Sequence, residues 1–122
     1  MRYLVNKTFQ KDLKDYKLDD NYLQDVLDDI LKGRAQSLGA NMYKIRAARK
    51  GRGKSGGFRN IFFWKKGELI IFCLLFSKNE QDNLGSDEKK ALKLLSEDYS
   101  NHTESDINTK IRNKVFKEIN YD

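Results

Sequence analysis

The fourteen residues from Arg46 to Arg59, RAARKGRGKSGGFR, hold six basic side chains and four glycines, with neither an acid nor a proline. Those residue types suit one task above others, the gripping of phosphate. Arginine presents a permanently charged fork that matches two phosphate oxygens, lysine a mobile point charge, and glycine lets the backbone come close. Gly51, Gly53 and Gly56 reproduce the G-x-G-x-x-G spacing of dinucleotide-binding turns, and Gly53, Lys54 and Ser55 the end of a P-loop. Neither match survives its context. A dinucleotide turn opens a helix, whereas residues 58–64 are β-rich, and the first P-loop glycine would fall on Ala48. A kinase glycine-rich loop does lie between strands, but it requires H-R-D and D-F-G motifs that the chain lacks. What remains is a cationic hairpin connection for a polyanion, with a solvated surface loop as the plain alternative.

The charge balance along the chain favours the first of these. Residues 1–41 carry seven basic and seven acidic side chains, residues 42–66 nine and none, and residues 67–122 eight and eleven, so the net +6 is concentrated in the middle. Folded onto one face, such a block attracts polyanions and speeds their association. Nucleic acid is the leading partner class and an acidic protein the second.

Other chemistries are poorly supplied. Cys73 is the only cysteine and sits inside the apolar run of residues 69–76, which marks it as a small buried hydrophobe rather than a catalytic thiol. His102 is the only histidine and lies in a polar stretch, so a zinc site of the usual His/Cys kind cannot be assembled; no metal and no cofactor is expected. The apolar run is far shorter than the roughly 20 residues of a bilayer-spanning helix, and the first residues do not resemble a signal peptide. A cytoplasmic protein with no membrane partner is expected.

The elements that must position the cations can be read from periodicity. At 122 residues the chain has room for one compact core. Residues 1–6 alternate as a short strand. Thr8 is placed to cap a helix over residues 9–18 carrying Phe9, Leu13 and Tyr16, and a second helix over residues 20–32 carries Tyr22, Leu23, Val26, Leu27, Ile30 and Leu31 up to Gly33. From Met42 the period changes to two, with Tyr43, Ile45 and Ala47 on one face and Lys44 and Arg46 on the other. Residues 51–57 interrupt it, residues 58–64 form a second strand, and residues 69–76 form a third that is apolar at every position and therefore covered on both faces. Phe58, Phe62, Phe63 and Trp64 read as core rather than as base-stacking platforms. Ser86 caps a helix with Ala91, Leu92, Leu94 and Leu95 inward, and the spacing of four between Ile107, Ile111, Val115 and Ile119 predicts a last helix over residues 105–119 that docks on the domain, or alternatively on a partner.

Taken in order, the YKIR strand, the KGRGKSGGFR loop, the apolar strand ending in FSKNE and the helix containing EKKALK resemble the RelE/HigB family of bacterial toxins over about residues 1–98. The resemblance implies an α+β RelE-like fold: an antiparallel sheet made of an N-terminal strand and a three-stranded meander, two N-terminal helices, and C-terminal helices. Residues 99–122 would be a helical extension packed on or near the same domain. It also implies an mRNA endonuclease that works in the ribosomal A site and is held inactive by a cognate antitoxin; relatives of the ParE type share the fold and poison gyrase instead. A non-catalytic nucleic-acid-binding module is a further alternative.

Carried over position by position, the resemblance assigns Lys44, Arg46, Arg59, Lys78 and Glu80 to the catalytic site and Arg49, Lys50, Arg52 and Lys54 to RNA or ribosome binding. Asn79 stands where RelE has an arginine, and its downstream active-site tyrosine has no clear counterpart. Such a site could cut RNA without metal by letting the 2′-OH attack the adjacent phosphorus. Arg46 and Arg59 would neutralise the phosphate. With no histidine pair available, lysines among neighbouring cations (Lys44, Lys54, Lys78) or Glu80 would carry the proton steps, and the assignment of base and acid stays open. Chemistry is expected at the roots of the hairpin and binding at its tip.

Overall fold

The computed structural model describes residues 1–49, 53–78 and 83–121. The chain runs β1 (Arg2–Asn6), α1 (Lys7–Asp15), α2 (Asp20–Leu31), β2 (Gln36–Gly39), β3 (Met42–Arg49), β4 (Gly53–Lys65), β5 (Leu69–Ser77), α3 (Ser86–Ser100), α4 (Glu104–Arg112) and β6 (Phe116–Glu118). The six strands form one sheet in the order β2-β3-β4-β5-β1-β6. All neighbours are antiparallel except β1 and β5, which run parallel. The fold is α+β and RelE-like, as expected, with two strands more than the sequence indicated.

The sheet is covered on both faces. On one, Phe9 of α1 and Leu23, Val26, Leu27 and Ile30 of α2 pack against Val5, Ile45, Ala47, Phe58, Phe62 and Phe72. On the other, Leu92 and Tyr99 of α3 and Ile107 of α4 pack against Leu4, Met42, Ile61, Phe63, Ile71 and Phe116. Strand β5 passes between the two layers, which is why it is apolar throughout. A bulge at Cys73, between the pairs Phe62–Phe72 and Ile61–Leu74, switches the inward parity so that Leu75 joins the first layer and Leu74 and Phe76 the second.

Beyond Phe72, β5 has outrun its partner β1, and α1 together with its C-cap residue Tyr16 supplies the missing acceptors. The Leu75 N–H donates to Asp12 Oδ2 at 3.3 Å and the Ser77 N–H to the Tyr16 hydroxyl at 3.2 Å. Backbone donors on a buried edge are thereby satisfied by side chains.

Several expectations are corrected. Asn6, not Thr8, caps α1, accepting the Phe9 N–H at 2.9 Å, so strand passes to helix without a loop. Lys17 at φ 57° ends the first helical stretch before Leu18. The N-cap of α3 is Gly85 rather than Ser86, and the Glu88 carboxylate accepts the Gly85 N–H at 2.9 Å. The buried stripe of α3 is Leu92, Ser96 and Tyr99 with Leu95 half-buried; Ala91 and Leu94 face outward.

The last helix stops at Arg112 instead of continuing to Ile119. Lys114 turns left-handed at φ 62°, and Phe116–Glu118 then pairs antiparallel with β1, giving β1 the second neighbour it would otherwise lack. Strand β2 has no counterpart in the sequence reading. Its turn is built from Gly39, Ala40 and Asn41, all at positive φ, and all four of its residues are exposed. Finally, β4 begins at Gly53, so residues 53–57 belong to the strand and not to the connecting loop.

Candidate functional site

The face of the sheet packed by α3 changes character along β3. Met42 is buried against Leu92, Lys44 is half-buried and Arg46 is exposed, although all three point the same way. The helix lies over the Met42 end and leaves Arg46 itself uncovered. Opposite Lys44 on β4 is Ile61; opposite Arg46 is Arg59, which in turn pairs with Phe76 of β5. Two arginines therefore stand opposite each other across neighbouring strands, on the same face. Arg59 is only 5% exposed, inside the face, while Arg46 stands at its surface.

A polar bridge under the other face fixes these strands. Asn60, fully buried between Arg59 and Ile61, donates from Nδ2 to the Ile45 carbonyl at 3.3 Å and accepts the Tyr22 hydroxyl of α2 at 2.8 Å. Burial pushes the Tyr22 phenol well above its ordinary range, so it stays protonated and able to donate. Phe58 completes the support, with the rings of Tyr16 and Tyr22 edge-on at 4.9 and 5.8 Å.

Of the residues assigned from the sequence, Lys44, Arg46 and Arg59 lie together on one face. Lys78 follows β5 directly and is exposed; its N–H donates to the Gly57 carbonyl at 3.1 Å, setting it beside the strand that carries Arg59. Glu80, Lys50 and Arg52 lie outside the described residues. Arg49 and Lys54 are placed by backbone alone: Arg49 pairs with Gly53 after a register shift that follows Ala47, and Lys54 is the second residue of β4.

Two further residues were not singled out in the sequence. Arg34 and Gln36 line a recess of about 250 Å³ together with Lys44, Ile45 and Arg46. No local motif marks them; only the pairing of Gln36 with Lys44 brings them there.

His102 and Cys73 stand apart from this cluster. His102 bonds the Asp98 carbonyl through Nδ1 at 2.8 Å and Lys110 through Nε2, and it packs on Tyr99 and Phe116. It shares a recess with Lys65, six residues along β4 from Arg59, or about 20 Å at the usual rise per residue. Burial pushes the Cys73 thiol up to about 12, which keeps it from acting as a nucleophile at neutral pH. Among the described residues no three His, Cys, Asp or Glu side chains gather as a metal-ligand set, and no helix is long and apolar enough to cross a membrane.

The family model described as "RelE toxin of RelE / RelB toxin-antitoxin system" matches residues 1–119. The chain belongs to the RelE toxin family. Membership makes it the toxin of a toxin–antitoxin pair and implies a cognate antitoxin as its partner. The match runs through β6, beyond the 98 residues over which the motifs alone carried the resemblance.

Proposed function

We propose that this RelE-family toxin is a ribosome-dependent mRNA endonuclease that acts in the cytoplasm and is silenced by its antitoxin. The observation that carries the reading is the cross-strand pair Arg46–Arg59, one side chain exposed and one buried, flanked by half-buried Lys44. In this reading the RNA phosphate sits over the pair. The 2′-OH attacks the adjacent phosphorus, the P–O5′ bond breaks, and the products end in a 2′,3′-cyclic phosphate and a 5′-OH.

Arg46 and Arg59 stabilise the charge that builds on the non-bridging oxygens, more strongly as bound RNA and ribosome exclude water. Lys44 and Lys78 are the candidates to protonate the leaving 5′ oxygen, and Glu80 to accept the 2′-OH proton. Arg49, Lys50, Arg52 and Lys54 of the hairpin contribute attraction to RNA or ribosomal RNA. A site with no histidine pair depends on substrate geometry, and the ribosome supplies it by holding the message in a reactive conformation.

The test is to add purified toxin to translating ribosomes and map mRNA 5′ ends. Discrete cuts at the A-site codon, abolished by Arg59→Ala, are the expected result. Intact message with blocked DNA supercoiling would instead identify a gyrase-directed toxin, and intact message with salt-sensitive binding alone would identify a non-catalytic module.

A further inference from the structure

The recess beside Lys44 and Arg46 extends the cationic face past the residues that the sequence motifs cover. Its described lining is three cations (Arg34, Lys44, Arg46), one amide (Gln36) and the aliphatic Ile45, with no carboxylate. Gln36 pairs directly with Lys44 across β2 and β3. Arg34, two residues before β2 begins, lines the recess beside Arg46, itself opposite Arg59. The recess thus adjoins the Arg46–Arg59 pair on its β2 side.

Arg34 is also held in place. Its Nη1 donates to Asp29 Oδ1 at 2.7 Å, and its backbone N–H donates to the Asp29 carbonyl at 3.2 Å. The Asp29 carboxylate is mostly covered, while the arginine side chain is 55% exposed. One contact occupies one corner of a guanidinium that carries five donors, so the remaining donors are presented to solvent.

We propose that this recess is a phosphodiester-binding subsite for the RNA strand, one step along the sheet from the Arg46–Arg59 pair. Arg34 is its positioning residue and Gln36 a neutral donor. The assignment rests on the nuclease reading, and it adds that RNA lies across the strands toward the β2 edge. Arg34 acts on binding and register of the substrate and does not touch the reacting phosphorus.

The test measures binding of a short 2′-deoxy-substituted, uncleavable RNA oligonucleotide by anisotropy across a salt series, with wild type, Arg34→Ala, Arg34→Lys and Lys32→Ala. Each phosphate contact on a single strand contributes about 0.7 to the slope of log K against log salt. Arg34→Ala should lose several-fold in affinity and about 0.7 in slope, and Arg34→Lys should keep the slope. Lys32→Ala, with the same charge change two positions away and outside the recess, should keep both. On ribosomes, Arg34→Ala should raise the concentration for half-maximal cutting and leave the maximal rate unchanged. An unchanged slope for Arg34→Ala, an equal loss for Lys32→Ala, or no salt-dependent binding by wild type overturns the subsite. If wild type and variants bind as expected yet no mRNA is cut, the nuclease reading fails and the subsite stands.

Discussion

One face of one sheet carries two regions of opposite character, and the same strands build both. Toward one end, Met42, Phe63 and Ile71 are sealed under α3 and α4. Toward the other, Lys44, Arg46 and Arg59 stand where no helix reaches far enough to cover Arg46. The strand alternation is identical in both; what differs is the layer above. A cationic cluster can therefore be carried without undermining the fold, because its rigidity comes from the packed end and from the Tyr22–Asn60 bridge beneath. Substitutions should separate the two ends cleanly, with stability responding at one and activity at the other.

The largest stability effect is expected at the packed end. Phe63 is fully buried and its ring meets Tyr99 at 5.7 Å. Phe63→Ala should cost about 3–5 kcal/mol in urea unfolding, enough to remove most of the stability of a small domain. A loss under 1 kcal/mol would show that the α3 layer does not anchor this end.

Next comes the cationic end, where the order of effects reverses. Arg46→Ala should lower the rate of mRNA cutting on ribosomes by on the order of 100-fold, the scale for removing one group that stabilises transition-state charge. The unfolding midpoint should stay level, since Arg46 is exposed and substitutions at the surface change stability little. Equal falls in stability and activity would erase the distinction between the two ends.

How far this division could be read from the sequence depends on what each element shows to water. The β3 alternation was legible because Ile45 and Ala47 are buried while Arg46 is not, and β5 was legible because both faces are covered. Strand β2 was not, because none of its residues is buried and its signal lies only in the Gly-Ala-Asn turn. The C-terminal segment kept a helical spacing of apolar residues through Val115 and Ile119, and a single left-handed residue, Lys114, diverted it into β6. Lys44 and Arg46 could be placed on one face from spacing alone. That Arg59 faces Arg46 could not, since it requires the register across a glycine-rich hairpin with a shift after Ala47, and Arg34 is further still from any local pattern.

The Tyr22–Asn60 bridge beneath the site gives a smaller, mixed effect. Tyr22→Phe removes the hydroxyl that serves Asn60 Oδ1 and leaves a buried acceptor short of its partner, at a cost of about 1–3 kcal/mol. Because Asn60 also holds the Ile45 carbonyl, the change should reduce cutting several-fold without altering the salt slope of RNA binding. A variant with full activity and lowered stability would restrict the bridge to the core.

The smallest effect belongs to the edge farthest from β2, and its pH dependence has a defined sign. Arg2 of β1 grips Glu118 of β6 through Nε at 2.8 Å and Nη2 at 3.1 Å, while Nη1 reaches Asn108 of α4 at 2.9 Å. The hydrogen bond from Arg2 holds the Glu118 carboxyl below its usual value against the opposing effect of burial, and the charge of Arg2 adds least. A carboxyl depressed in the folded state contributes above its unfolded value of about 4.3, and the contribution disappears as pH falls through the lower folded value. Both side chains are partly solvated, at 28% and 38% exposure, so screening limits the pair to about 0.2–1 kcal/mol. Glu118→Gln should therefore be less stable than wild type by that amount at neutral pH and low salt, with the gap closing in strong acid and shrinking in high salt. Because the pair lies at the opposite edge of the sheet from the cationic recess, the same variant should cut mRNA at the wild-type rate; a pH-independent gap, or a loss of cutting, would show that this edge is coupled to the site.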